Sequence, residues 1–433
     1  MSAIDWYEIA LLAAVPFLVT FFAIPRQINY MKKIGWIGRD IHKKSRPEVA
    51  ESGGISLLFG VSSGFILLMI LRPEMFIEFL AAFTSTVLAA LIGLIDDKLR
   101  LSAIKKIASV IFATIPMVLL YWGTSHISGT PVVPFLGFLQ VTLLYLPFIP
   151  GLLAVLMNVV NMLEGYNGEG SGTSIVVAIS MILCSIILGS TDGIIMILPV
   201  LASTIAFFYY NKYPAKIFPG DIGTLQLGMV LGCIAIISGL EFVLLVSMIP
   251  QILHAFHVIR SVGGFKESAT FKIKDIEMID GDLIKASSSK DAPLTLPRII
   301  VARKPLSEPE LVKNIIFFNI VSAFLSVLSA FLIQATFNGD FVLFSFIFIV
   351  IAGVSCLVIA LLFPAIRVLN LIIIAIFVAI IGILVFIDRF VVGLGLFNWL
   401  VAGVISLVAL AAWYVLSLKY FMHITTREPI KKA

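Results

Sequence analysis

The chain has 433 residues, of which 60% are hydrophobic and only 13% charged, with a formal net charge of +5 and a mean hydropathy of +1.10. Soluble domains are about half apolar, so these values exclude an ordinary soluble protein and point to a polytopic membrane protein. The placement of the positive charge says more than its sum, and nucleic acid is not an expected partner; Cys184, Cys233 and Cys356 share no ligand-type spacing, which sets aside disulfide frameworks and zinc sites.

A helical crossing takes about 20 mostly apolar residues. Thirteen such runs follow one another: 7–28, 54–71, 77–95, 107–121, 143–163, 173–189, 194–210, 225–238, 241–259, 311–335, 341–363, 366–387 and 394–417. The opening MSAIDWYEIA carries acids and no basic n-region, so the first run is expected to stay in the protein. With the N-terminus outside and the C-terminus inside, every Lys and Arg except Arg72 and Arg389 falls on the inner side, as the positive-inside rule favours. Outer segment 122–142 reads as a small β-hairpin or re-entrant cap. Inner segment 260–312 alternates around Asp280-Gly281 and predicts a hairpin in a cytoplasmic lid or substrate-binding flap. The fold class expected is an all-α polytopic membrane protein with small β-hairpins in its loops.

Four inner segments carry chemistry. Residues 38–54, GRDIHKKSRPEVAESGG, hold Asp40, Lys43, Lys44, Arg46 and Glu51 before a glycine pair that opens a helix. Anchoring explains the lysines but not Glu51, set where backbone amides approach a ligand. In LIGLIDDKLR, Asp96 and Asp97 end an apolar run, with Lys105 and Lys106 beyond; an interfacial ion-pair cluster and a functional site account equally well for this pair alone. Successive helical residues point about 100° apart, so the two acids need not share a role.

The third segment, NVVNMLEGYNGEGSG over 158–172, sets Asn158 and Asn161 on one helical face before a glycine-rich loop whose backbone could cradle phosphate. A plain turn explains the glycines but leaves Asn158, Asn161, Glu164 and Asn167 unexplained at membrane depth. In the fourth, YPAKIFPGDIGTLQLG over 213–228, Asp221 suits a helix cap or a Mg²⁺ ligand, since magnesium takes one or two protein carboxylates along with phosphates and water. An amide oxygen from Asn161 would extend that partial shell. Acids, amides, lysines and glycine turns gathered on one membrane face are what a Mg²⁺-dependent pyrophosphate site requires.

GLIDD, NVVNMLEGYNG and FPGD, in that order, resemble the polyprenyl-phosphate N-acetylhexosamine-1-phosphate transferases, and the likeness runs over about residues 1–335. It implies transfer of a sugar 1-phosphate from a UDP-sugar to a membrane polyprenyl phosphate with release of UMP, and Mg²⁺ as cofactor with Mn²⁺ as a substitute. By resemblance, Asp96 and Asp97 match the acidic pair, Lys106 the lysine on the pyrophosphate, Asp221 and Asn161 the metal-binding positions, Asn167 a residue of the uridine pocket and Glu51 an acid near the N-acetyl sugar. Lys43, Asn158, Arg260 and Lys266 complete the residues expected to touch substrate. The acidic pair could act as nucleophile or base, or assist direct attack by the lipid phosphate; direct attack is preferred.

Bacterial members carry a histidine cluster in the last inner loop, whereas 260–312 here has no histidine. The chain looks instead like the archaeal and eukaryotic UDP-GlcNAc:dolichyl-phosphate GlcNAc-1-phosphate transferases, which begin lipid-linked oligosaccharide assembly for N-glycosylation. The family core has about ten spans, so residues 1–337 read as the transferase core and 338–433 as additional helices with a basic tail. A bacterial-type enzyme using undecaprenyl phosphate and another UDP-hexosamine is the alternative within the family. A transporter is the alternative of another class, disfavoured because no Asp, Glu, Lys or Arg falls in mid-span. The expected setting is the plasma membrane of a prokaryote, archaeal in type, with the active site on the cytoplasmic face and a homodimer left open.

Overall fold

The structure, a computed structural model, describes residues 4–99, 101, 103–123, 131–134, 137–138, 142–264 and 273–338. Within these, eight helices are long and apolar enough to cross a membrane, or nine if a bent pair counts as one span. The protein is an all-α polytopic membrane protein.

In chain order, α1 (Trp6–Lys33) leads through a short antiparallel pair, β1 (Ile37–Arg39) and β2 (Glu48–Ala50), to α2 (Gly54–Leu71) and α3 (Phe76–Leu99). The run expected over 107–121 is broken at Thr114 into α4 (Ala103–Ala113) and α5 (Ile115–Gly123). β3 (Val132–Val133) and β4 (Gly137–Phe138) form the hairpin expected in 122–142. Then come α6 (Thr142–Leu163), α7 (Glu169–Leu188), α8 (Thr191–Asn211) and α9 (Gly220–Ser238). α9 begins five residues earlier than its apolar run, because Gly220-Asp221 form its first turn. The run over 241–259 is a bent pair, α10 (Glu241–Ser247) and α11 (Ile249–Val262), angled by 68°. The excursion between α11 and α13 holds β5 (Ile276–Ile279), β6 (Leu283–Ala286), α12 (Leu296–Ile300) and β7 (Leu306–Ser307) before α13 (Glu308–Asn338). β5 and β6 pair antiparallel around Asp280-Gly281-Asp282, as the alternation implied, and β7 adds a third strand. The additional helices expected over 338–433 lie beyond the described residues, save Asn338 at the end of α13.

α9 is the centre of the bundle. Every residue from Ile222 to Ile236 is buried, as befits a helix apolar on all sides. It packs on α3, α6, α2 and α8, and small residues let the backbones close up. A Cβ on Gly93 of α3 would stand 2.4 Å from the Ile222 backbone nitrogen, and one on Gly54 of α2 would stand 2.3 Å from that of Gly223. Such close approach is the usual basis of helix packing in membranes, where lipid tails remove the hydrophobic drive between helices.

At the end of the bundle where α1 starts and α2 stops, Arg72 donates to both oxygens of Glu8, at 3.0 and 2.6 Å. At the other end, the loop entering α2 is laced to the loop entering α9. Phe218 N donates to Ala50 O (2.8 Å), Gly53 N to Phe218 O (2.7 Å) and Gly54 N to Pro219 O (2.9 Å). Gln27 of α1 closes the same end by donating to Ser52 O at 2.7 Å. These bonds satisfy backbone groups that would otherwise be orphaned near hydrocarbon.

Candidate active site

The C-terminal ends of α3 and α6, the start of α9 and the first turn of α4 converge. Asp96 is 7% exposed at the end of α3. Lys106, in the first turn of α4, reaches Asp96 Oδ2 at 2.5 Å and Asp221 Oδ2 at 2.7 Å, so one ammonium bridges acids 125 residues apart in sequence. Its pKa is pulled down by burial but driven above the ordinary lysine value overall by Asp221 and Asp96. Asn161, in the last turn of α6, turns its amide so that the oxygen accepts from Lys106 Nζ at 3.2 Å and the nitrogen donates to Asp221 Oδ1 at 3.1 Å and Thr224 Oγ1 at 3.0 Å.

Asp97 faces a different way from Asp96. Its Oδ1 accepts the backbone N–H of Asp221 at 2.8 Å and its Oδ2 the Ser52 hydroxyl at 3.1 Å. A Cβ on Gly220 would stand 2.4 Å from Asp97 Oδ2, and Gly220 has φ +67°, so glycine is required there on both counts. The neighbouring acids thus divide their work: Asp97 holds the start of α9 in place while Asp96 shares Lys106 with Asp221. Ser52 and Thr224 were missed by sequence reasoning. Thr224 had a signal, since three residues from Asp221 puts it on the same helical face; Ser52 is joined to Asp97 only by the fold.

The cluster holds three carboxylates and one ammonium, formally two negative charges in excess. Its donors are carboxylate, amide and hydroxyl oxygens without thiolate or imidazole, a set that suits a hard divalent cation, and Lys106 already sits between Asp96 and Asp221 where positive charge is demanded.

A second cluster lies in the loop between β1 and β2. Asp40 is 3% exposed and Asn167 4%. Asn167 Nδ2 donates to Asp40 Oδ2 at 2.9 Å, and its backbone N–H donates to Glu308 Oε1 at 2.8 Å. Asp40 also pairs with Lys43. Burial would raise the Asp40 pKa, but bonds from Lys43, Asn167 and the His42 backbone hold it below the usual carboxylate value. Ligand atoms of Asp40, His42 and Glu308 lie within 4.8 Å of one another, close enough to hold a cation. Lys43 and Asn167 already engage Asp40, however, and favour a role in fixing Asn167. The His42 ring stacks on Tyr166 at 4.3 Å, and burial lowers its pKa to about 4. Lys44 ties this loop to the β5–β6 turn, through its backbone N–H to Asp282 Oδ1 (2.8 Å) and its Nζ to Asp280 Oδ1 (2.5 Å).

Other expected residues fall elsewhere. Asn158 donates to the Ala154 carbonyl of its own helix at 2.8 Å, so its amide is turned along α6. Lys43 lies over the Tyr213 ring at 4.3 Å as well as on Asp40. Glu51 packs on β1, its Oε1 2.3 Å from where a Gly38 Cβ would stand. Arg260 lies in the last turn of α11, and Lys266 lies outside the described residues. The glycine loop does not offer its amides as a phosphate cradle: Gly165 and Tyr166 donate to Glu169 Oε2 at 3.0 and 3.2 Å, and Gly170 donates to Glu164 Oε2 at 2.6 Å. The bond from Gly170 N–H accounts for Glu164, which the sequence left unexplained, and Glu169 takes the amides of Gly165 and Tyr166 in the same way.

The glycosyl transferase family 4 profile matches residues 79–239, the stretch that supplies Asp96, Asp97, Lys106, Asn161 and Asp221. A Sulfolobus acidocaldarius protein with the provisional name UDP-N-acetylglucosamine–dolichyl-phosphate N-acetylglucosaminephosphotransferase is 32% identical over 276 residues, covering 62% of this chain and 82% of that protein. The chain belongs to glycosyl transferase family 4. The UDP-N-acetylglucosamine–dolichyl-phosphate N-acetylglucosaminephosphotransferase of Dictyostelium discoideum is 28% identical to this family 4 transferase, covering 57% of the chain and 70% of the relative. A phospho-N-acetylmuramoyl-pentapeptide-transferase of Desulforamulus reducens is also 28% identical, covering 60% and 83%.

Proposed function

We propose that this family 4 transferase moves N-acetylglucosamine 1-phosphate from UDP-N-acetylglucosamine to dolichyl or another polyprenyl phosphate, giving the polyprenyl diphosphate sugar and UMP, the first step of lipid-linked oligosaccharide assembly. The observation that carries this reading is the convergence of Asp96, Lys106, Asn161 and Asp221 from four helices into one charge cluster, in a chain similar to proteins that bear that name.

Phosphoryl transfer asks a protein mainly to position groups and neutralise charge. An oxygen of the lipid phosphate attacks the phosphorus bonded to the sugar. As that P–O bond forms, the bond from the same phosphorus to the bridging oxygen breaks, and UMP leaves with the electron pair. A phosphate oxygen is already ionised near neutral pH, so Asp96 and Asp97 are assigned to orientation and not to a covalent intermediate. Lys106, poised between Asp96 and Asp221, is the cation available to the pyrophosphate. Mg²⁺, with Mn²⁺ as a substitute, would be held by Asp221 and Asn161 and would neutralise charge on the pyrophosphate. The lipid acceptor accounts for the membrane bundle, and the distribution of Lys and Arg supports a cytoplasmic active face with the N-terminus outside and the C-terminus inside.

The test is UMP release by purified protein across a panel of UDP-sugars and polyprenyl phosphates. UDP-N-acetylglucosamine with a dolichyl phosphate is expected to react, and Asp221→Ala to lose at least about 10³-fold, or ~4 kcal/mol of transition-state stabilisation. Full activity in EDTA or in Asp221→Ala would sink the metal assignment, and no UMP from any donor would sink the transferase reading.

A further inference from the structure

We infer that the end of the bundle away from the candidate active site holds a second binding site, a cavity that takes a primary ammonium carried on an apolar body, with Glu241 as the group that meets the charge. The inference is independent of the transferase reading above.

The cavity, about 400 Å³ in volume, lies where α7 and α9 end, α10 begins and the last turns of α13 meet the β3–β4 hairpin. It is roughly 25 Å along α9 from Asp221, at ~1.5 Å per residue, and shares no residue with the cluster there. Its walls are mostly apolar. Leu188, Ile237 and Ile333 line it, as do Phe138 and Phe337, whose rings are 4.9 Å apart.

One acid is set among these walls. Glu241, the first residue of α10, lines the cavity and is 3% exposed. Its Oε1 accepts the hydroxyl of Tyr145 from α6, whereas its Oε2 is buried with no hydrogen-bond partner among the described residues. Ser238 Oγ, on the same cavity, is likewise buried and unpartnered among them. Among the described residues no Lys, Arg or His lines the cavity, and none forms an ion pair with Glu241. Glu8 supplies the contrast: as deeply buried at the same end of the bundle, it has both oxygens taken by Arg72, at 3.0 and 2.6 Å.

A carboxylate held out of water with no counter-charge is costly. A ligand that brings a positive charge and an N–H donor relieves both the charge and the open oxygen, because a carboxylate offers acceptors only. The apolar walls select what the ammonium is attached to. At ~30 Å³ for each water in the liquid, the cavity equals roughly thirteen waters, room for an amine with an apolar body of about ten heavy atoms. Anionic and zwitterionic molecules are refused, since no base lines the cavity to meet their negative charge.

The test measures equilibrium binding and ligand-induced thermal shift for the purified full-length protein at pH 7. The probes are 4-phenylbutylamine, its neutral isostere 4-phenylbutanol and the anion 4-phenylbutyrate. The amine is expected to bind at least about tenfold more tightly than the alcohol, as a hydrogen bond to a charged group implies, and the anion not to bind. Glu241→Gln keeps the shape and removes the charge. It is expected to weaken the amine at least about tenfold while the alcohol stays within about threefold. Equal binding of amine and alcohol by wild type, or an amine affinity unchanged in Glu241→Gln, overturns the inference. If Glu241→Gln fails to fold, Ile237→Trp decides, because it fills the cavity and leaves Glu241 in place: amine binding must be lost, and its retention refutes the site. Neither readout needs turnover, so absence of UMP release would strike the proposed reaction alone.

Discussion

Lys106→Met removes the ammonium that bridges Asp96 and Asp221 and leaves an aliphatic side chain of similar reach. The side chains of Lys106, Asp96 and Asp221 are 22%, 7% and 27% exposed, so the carboxylates cannot simply be rehydrated. Removing one partner of a buried ion pair costs roughly 3–5 kcal/mol, and the partial exposure of Asp221 puts this case near the lower end, about 3 kcal/mol. At about 2–4 °C per kcal/mol, the unfolding midpoint should fall by roughly 6–12 °C. Because the deficit is one of positive charge, millimolar Mg²⁺ should restore stability to Lys106→Met by more than it adds to wild type, even though UMP release stays abolished. The assay is thermal unfolding of purified protein with MgCl₂ or EDTA, beside UMP release. A variant that melts at the wild-type temperature, with the same Mg²⁺ response, would show that Lys106 is not the counter-ion of this cluster.

Asn161→Ala should lower turnover at least about 100-fold, the upper range for groups that orient a metal site, whereas Asn158→Ala should stay within about threefold because its amide serves only the Ala154 carbonyl in α6; equal losses would contradict the geometry. Burial lowers the His42 pKa from 6.5 to about 4, so the unfolded chain takes up the proton first as pH falls. The resulting stability is whole above pH 6.5 and is lost between 6.5 and about 4, up to about 3 kcal/mol, and His42→Gln should flatten the unfolding midpoint over that window. Gly93→Ala forces a Cβ to within 2.4 Å of the α9 backbone; it should cost about 1–3 kcal/mol by overpacking and reduce UMP release through displacement of Asp221, and a variant with wild-type midpoint and rate would show that α3 and α9 can part freely.

Much of the site was legible because its chemistry is local in sequence. Asp96, Asp97, Asn161 and Asp221 each stand in a short motif at the end of an apolar run, where a charge or amide near hydrocarbon calls for a reason. Asn158 shows the limit of that logic: it shares the face of Asn161 by helical spacing, yet its amide nitrogen donates within its own helix. The glycine loop shows another, since its composition invites a phosphate while its amides are taken by Glu164 and Glu169.

Apolar period and charge asymmetry determined from the sequence alone that this is a helical membrane protein with its polar chemistry at one end, because a bilayer leaves few other ways to satisfy a backbone. The hairpin at Asp280-Gly281 was equally open to reading, for turn chemistry is local. Only the tertiary structure could decide that Asp97 holds the start of α9 while Asp96 shares a lysine with Asp221, since adjacent residues diverge in direction and Asp221 lies more than 120 positions from either. Only the fold, likewise, brings Glu308 and Asp40 to the two sides of Asn167, at sequence separations of 141 and 127: such contacts are set by helix packing, for which no short stretch of sequence carries a sign.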